Sequence, residues 1–400
     1  MSRTMRKNTV GILAAAAVLL AGSAAYAQET FKLGGVISAT GGGASIGRAA
    51  SVAWKLAVDD INANGGILGK QVELVIADTM TDPTHGVSEA RRLLQNEGAQ
   101  AIVGPATSQE AIPITTVTTE AKVLQVSTAA SPTLTPEAVP YHFSTSVTAV
   151  NQMIPNINFA IDKLGLKNFG IISDNGGMSK AGVAEITAYL KERGLEPAAV
   201  QEFPFRTEDM TPQLLSMRSS GADALLFLSS LGDDARKLLE NRLDIGWEVP
   251  VLANQTLSNY AVGHVDSIGE EAFENVYSTT FIGMTYCEGD PVGENAFAKF
   301  STRAANEVPE LEMLGGPGSL SPYYIIPLIV ADAINGAGSA DGEAASKWLE
   351  ENASQIQLPT GPLEVTETSH FLPALDSIVT IESPYLLRED GLAKRADCDA

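Results

Sequence analysis

Cysteine is scarce in this 400-residue sequence: Cys287 and Cys398 are the whole supply, too few for a disulfide-stapled scaffold or a cysteine-rich metal site. Histidine is scarce too. The four copies, at 85, 142, 264 and 370, never fall at metal-ligand spacing, so neither a metal nor another cofactor is expected. Basic residues are outnumbered, 26 Lys and Arg against 48 Asp and Glu, and the net charge of −22 argues against nucleic acid or an anionic membrane surface as partner. Beyond the N-terminal leader no apolar run is long enough for a membrane-spanning helix. A Walker-type lysine loop, a G-x-G-x-x-G turn and a Y-x-x-x-K pair are all missing. What is present is ordinary globular composition, 44% hydrophobic and 18% charged. The length exceeds what one core usually serves, which predicts two lobes of roughly 150–200 residues.

Residues 1–27 read as an export signal. Arg3, Arg6 and Lys7 form a basic start, residues 10–21 are apolar, and Ala25-Tyr26-Ala27 supplies the small residues of a cleavage site after Ala27. A lipid-anchor signal needs a cysteine after Leu20-Ala21-Gly22, where Ser23 stands. The mature chain is therefore expected in the periplasm and unanchored; a monomer is also expected. An exported chain with just two cysteines usually pairs them, so a Cys287–Cys398 disulfide is expected.

The mature chain reads as repeated β-α units. Residues 31–37 are a short apolar run, followed by Ala50, Ala53, Ala57 and Ile61 at helical spacing and a Gly65-Gly66 stop. Residues 72–77, 101–103 and 123–126 are further strands, and Asp82-Pro83 is a helix start. A second set follows at 169–172, 200–203, 224–228 and 249–252, with a helix carrying Val183, Ile186 and Leu190 between the first two. Residues 141–148 and 278–282 break the rhythm as interlobe crossovers, and a Gly/Pro-rich stretch at 315–322 precedes an apolar helix over 323–334. Such alternation predicts an α/β fold with parallel sheets and helices on both faces.

The first-lobe strands end in small polar loops: Ser38-Ala39-Thr40-Gly41, Gly104-Pro105-Ala106-Thr107-Ser108 and Ser127-Thr128-Ala129-Ala130-Ser131. Ligands of open α/β sheets bind beyond the carboxyl ends of the strands, where free N–H groups and hydroxyls suit an anion. A loop of this kind also caps helices without binding anything; three converging loops favour a cleft. Two enzyme signatures fall in the glycine-rich loop and carry little. Gly43-Ala44-Ser45-Ile46-Gly47 matches G-x-S-x-G, but its downstream histidines are scattered. Thr40 to Gly47 is similar to a short-chain dehydrogenase turn, but Ser45 replaces a required glycine. No enzyme is expected.

The most specific segment is Asp60-Ile61-Asn62-Ala63-Asn64-Gly65-Gly66-Ile67-Leu68-Gly69, running on to Leu74. It resembles the DINAxGGIxGxxxxL signature of the leucine/isoleucine/valine-binding protein family, the solute receptors of ABC importers. The resemblance continues through Asp82-Pro83, Ile102-Val103-Gly104-Pro105, Thr128-Ala129-Ala130-Ser131 and Gly170-Ile171-Ile172-Ser173-Asp174 to Gly361-Pro362-Leu363. It implies two Rossmann-like lobes joined by a three-crossover hinge (a type I periplasmic binding fold). Lobe one would be 29–145 plus 282–364, lobe two 146–281 plus 365–385, and 386–400 a C-terminal tail. A small-molecule ligand would be enclosed by hinge closure, and the partners would be the permease and ATPase of an importer.

By the same resemblance, a ligand carboxylate would be held at Thr107 or Ser108 and at Ala129 and Ser131. The acidic residue that holds a ligand ammonium in amino-acid-binding members falls at Gln255 here, and two lobe-two tyrosine positions fall at Met178 and Leu231. A helix tyrosine is retained as Tyr324, beside Tyr323. Arg48 could pair with the carboxylate as a bidentate donor or be a solvated helix residue. An ammonium buried without a counter-charge is costly, and Gln255 cannot neutralise one. These changes favour an aromatic or hydrophobic acid as ligand. The alternatives are a branched-chain or polar amino acid with a rearranged ammonium site (Asp174 or Asp233 supplying the carboxylate), or a sensing role with a separate partner.

Overall fold

The apolar runs read as strands separate into two sheets in the computed structural model, which describes residues 29–398. The export signal lies outside the described residues. The first sheet is built from β1 (Phe31–Ile37), β2 (Val72–Asp78), β3 (Ala101–Val103), β4 (Gln125–Ser127) and β5 (His142–Ser144), all parallel, in the order β2-β1-β3-β4-β5. Helices α1 (Ala44–Ala63), α2 (Pro83–Arg92) and α3 (Ser108–Ala121) follow β1, β2 and β3. Both faces of such a sheet are covered, which is why the inner strands β1, β3 and β4 are almost wholly buried, while the edge strand β2 is only partly so.

After α4 (Ala149–Asp162) the chain builds a second sheet on the same plan. Its parallel strands are β6 (Phe169–Asp174), β7 (Ala199–Phe203), β8 (Ala224–Leu228), β9 (Val251–Ala253) and β10 (Val276–Phe281). Helices α5 (Gly177–Glu192), α6 (Thr211–Ser219), α7 (Gly232–Asp244) and α8 (Gln255–Ile268) connect them. A short β11 (Thr285–Tyr286) then returns the chain to the first sheet, where α9 (Ala296–Glu307), α10 (Pro317–Ala337) and α11 (Gly342–Asn352) complete the core around α1. β12 (Ile378–Glu382) closes the second sheet antiparallel to β10, giving the order β12-β10-β9-β8-β6-β7.

Two expected boundaries differ. Residues 365–372, expected with the second lobe, pack on the first: His370 stacks on Phe143 at 4.0 Å and Phe371 bridges Ser144. The anticipated tail also has structure. β13 (Ala393–Lys394) pairs with β11, Arg395 bridges Ile381, and Leu392 is buried in the first core. The Cys287–Cys398 disulfide is formed and fastens this segment. Helix α10 starts six residues before the expected apolar stretch because its glycines and prolines are helical. Pro322 lacks an N–H, and the Gly318 carbonyl it leaves free accepts the Ser321 hydroxyl instead at 3.4 Å.

The most specific sequence segment proves to be scaffold. Gly66 turns the chain at φ +78°, and a Cβ there would lie 1.8 Å from the Lys70 carbonyl oxygen, so only glycine fits. Asn62 locks the following strand through Val72, whose N–H donates to its Oδ1 at 2.6 Å and whose carbonyl accepts from its Nδ2 at 3.1 Å.

Candidate functional site

The carboxyl ends of the two sheets face each other across a cavity of about 80 Å³. Sequential βα turns place helix starts around it. Ser108 opens α3, Met178 lies in the first turn of α5, Ser230 precedes α7, Gln255 opens α8, and Gln152 lies in the first turn of α4. Each N-terminus presents unpaired N–H groups and roughly half a positive charge. No residue lining the cavity carries a formal charge; the rest of the wall is Thr107, Thr128, Thr145, Ser146, Thr256, Asn259, Tyr260 and Tyr323, with Ile46, Ala106, Ala130, Phe281 and Pro322 as apolar surface. The site is thus anion-friendly through backbone dipoles, without a basic side chain.

Of the residues expected at a ligand, Thr107, Ser108, Met178 and Gln255 line this cavity. Their roles differ. The Ser108 hydroxyl oxygen accepts from Ala130 N at 3.0 Å and keeps its own proton available to a ligand. Thr107 donates its hydroxyl to Glu110 at 2.5 Å, so it lines the cavity without offering that proton to a ligand. Gln255 is buried with no partner for its Nε2, and the Tyr260 hydroxyl, also buried, has no hydrogen bond of ordinary geometry. Two unpartnered polar groups on one wall are what a ligand would satisfy.

The other five expected residues lie elsewhere. Ala129 and Ser131 flank the wall without lining it: Ala129 N donates to Ser127 Oγ at 3.1 Å, and Ser131 Oγ meets Thr133 Oγ1 at 2.9 Å. Leu231 is buried at the start of α7, one residue past Ser230. Arg48 is exposed, in a separate hollow of about 500 Å³ with Glu310 and Met313. Tyr324 faces away from the cleft: its hydroxyl donates to Asp60 at 2.5 Å and its ring packs on Phe300, while its neighbour Tyr323 lines the cavity. Consecutive helix residues point about 100° apart, so only one of the pair can face the ligand. Burial pushes the Tyr323 phenol up to about 12, so it stays a neutral hydrogen-bonding group.

Asn259 and Tyr260 were not anticipated. Their signal was the helical spacing of Gln255 to Asn259 and of Thr256 to Tyr260, four residues each, on α8. Asp174, a possible ammonium partner, is wholly buried and already accepts from Gly176 N at 2.8 Å and Ser230 N at 2.5 Å. Burial raises its pKa. Asp233 is exposed and off the cavity wall.

A sequence profile described as periplasmic binding protein matches residues 30–380. The chain belongs to the periplasmic binding protein family. Among curated relatives of this periplasmic binding protein is Leu/Ile/Val-binding protein homolog 3 of Brucella melitensis, 26% identical over 91% of this chain and 94% of the relative. Solved structures share the fold. A branched-chain amino acid transporter substrate binding protein from Streptococcus pneumoniae, in complex with isoleucine, matches with TM-score 0.72 at 22% identity, covering 91% of this chain and 98% of that one. A solute binding protein of an ABC transporter from Rhodopseudomonas palustris, in complex with 4-hydroxybenzoate, matches with TM-score 0.77 at 19% identity, covering 91% and 95%. The two-lobe α/β reading and the family resemblance both hold. Binding rather than chemistry is what the family does.

Proposed function

We propose that this periplasmic binding protein captures a small organic carboxylate, with an aromatic or hydrophobic acid favoured, for delivery to the permease and ATPase of an ABC importer. The observation that carries the reading is the cavity wall: several helix N-termini and the Ser108 hydroxyl can hold a carboxylate, and no acidic side chain is there to hold an ammonium. Met178, Phe281 and Pro322 offer apolar contact to a ligand body, and Gln255 and Tyr260 offer a second polar anchor. The exported, monomeric state and the division into lobes of 29–145 with 282–372 and 146–281 with 373–385 belong to the same proposal. Closing of the lobes about the crossovers would enclose the ligand.

A second reading is a branched-chain amino-acid receptor, favoured by the names of the curated relatives. It requires a counter-charge, and both candidate carboxylates are placed unfavourably: Asp174 is committed to backbone N–H groups and Asp233 faces solvent. A thermal-shift screen of the ligand-stripped protein separates the two, since a ligand at about 100 times its Kd adds about 2.7 kcal/mol of stability. Benzoate, hydroxybenzoates and aliphatic acids should raise Tm; leucine, isoleucine and valine should not. The opposite pattern would establish the second reading.

A further inference from the structure

We propose that Glu110 is a positioning residue that presets the lobe-one half of the cleft; this rests on the binding-receptor reading above. Glu110 lies behind the cavity wall, wholly buried in the first turn of α3. Its carboxylate gathers hydroxyls from three separate loops. Ser38, after β1, reaches both oxygens at 3.0 Å; Thr79, after β2, donates to Oε1; Thr107, after β3, donates to Oε2 at 2.5 Å. Among the described residues no cation pairs with it, so these hydroxyls and the α3 N-terminus are its solvation. A buried carboxylate held this way fixes the loops that solvate it, because releasing any one leaves charge unsolvated.

The hold extends in two directions. Toward the ligand, it takes the Thr107 proton and leaves Ser108 as that loop's free hydroxyl donor. Toward the rim, Thr79 leads into Met80 and Thr81, both in the left-handed region at φ +57° and +60°, a costly conformation for side-chain-bearing residues that the surroundings must enforce. Thr81 Oγ1 in turn accepts from Gly43 N at 2.9 Å and donates to the Thr40 carbonyl at 3.0 Å. That glycine turn is where the lobes meet: Arg206 of the second lobe donates to the Gly41 carbonyl at 2.7 Å. One carboxylate therefore ties the ligand loop to the closing edge. The second lobe repeats the device with Asp174, which joins the loops after β6 and β8 through Gly176 N and Ser230 N.

Positioning and plain charge make opposite forecasts. A negative charge behind an anion site weakens binding, so if charge alone mattered, Glu110→Gln would tighten a carboxylate. If positioning matters, Glu110→Gln weakens it, because the new amide donor opposes hydroxyls that are themselves donating. Thr79→Val is the companion variant: isosteric, off the cavity wall, lacking one of the three hydroxyls. Calorimetry on the full mature chain with 4-hydroxybenzoate and with leucine should show Kd rising at least tenfold in Glu110→Gln and several-fold in Thr79→Val, for whichever probe the wild type binds. A helix-cap variant remote from both the cavity and this network, Asp341→Ala at the start of α11, should lower Tm with Kd unchanged. Hydrogen exchange of the ligand-free protein gives a reading independent of any ligand: amides near residues 38–43, 79–81 and 107–110 should exchange faster together in Glu110→Gln. Unchanged or tighter binding, or exchange rising in only the 107–110 loop, would overturn the inference. Wild-type binding of leucine alone would overturn the preference for an acid without an ammonium and leave the Glu110 comparison intact.

Discussion

In the proposed reading, Gln255 concentrates the chemistry of ligand choice in one amide. Its Nε2 is buried and unpartnered at the start of α8, where it would meet a ligand acceptor and a carboxylate in its place would repel an acid. Gln255→Glu should weaken binding of an aromatic acid at least tenfold by calorimetry, about 1.4 kcal/mol or more; unchanged affinity would remove Gln255 from the site. His142 contributes to acid stability. It is buried, bonded to Ser127 Oγ at 2.8 Å, and burial lowers its pKa to about 3; the neighbouring His370, which meets the His142 carbonyl and Glu350, is lowered as well. The unfolded chain takes up protons near pH 6.5, before the folded one does, so stability is complete above that pH and declines as pH falls toward 3. His142→Gln should flatten this decline in pH-dependent urea melts, by an amount of order a few kcal/mol at the acid end. At this scale the sequence revealed loops better than side-chain directions. Thr107 sits in the anticipated loop, yet the unforeseen buried Glu110 claims its hydroxyl, and Tyr324 yields the cavity to Tyr323 because helix facing depends on packing against Asp60 and Phe300.

Elements were legible where an apolar run falls within the β-α rhythm. β1, β3 and β8 span the residues anticipated, since a strand buried on both faces is a short continuous apolar run bounded by turn residues. β5 was read as part of a crossover, since its His142-Phe143-Ser144 has no such run. β12 escaped notice because it follows a long irregular segment and pairs antiparallel at the sheet end, outside the β-α rhythm. The C-terminal segment shows what a disulfide adds to weak elements: β11 and β13 are two residues each, and the bond joins residues 111 apart. Replacing both Cys287 and Cys398 by serine should lower stability by at most about 4–5 kcal/mol in the chain-entropy account. Chemical melts of the oxidised protein against this variant check it; two free thiols in the denatured, unreduced wild type would refute the pairing.

The whole molecule is two sheets of one topology facing each other, with the chain crossing between them after β5, after β10 and before β12. The first two crossings were marked in the sequence by a loss of β-α rhythm; the third was placed too early because residues 365–372 carry no periodicity and are positioned by His370 stacking on Phe143. The lobes touch at the rim through the Arg206 to Gly41 hydrogen bond, and Leu231, Tyr260 and Phe205 of the second lobe pack against the first core, contacts that opening of the cleft would release. Small-angle scattering should therefore show a smaller radius of gyration with ligand than without. The most direct measurement of the central claim is titration calorimetry of the unfolded-and-refolded, ligand-free protein with 4-hydroxybenzoate, benzoate and leucine in parallel. Tight binding of an aromatic acid, with leucine at least tenfold weaker, is the predicted result; leucine binding tightly while every acid fails would contradict it.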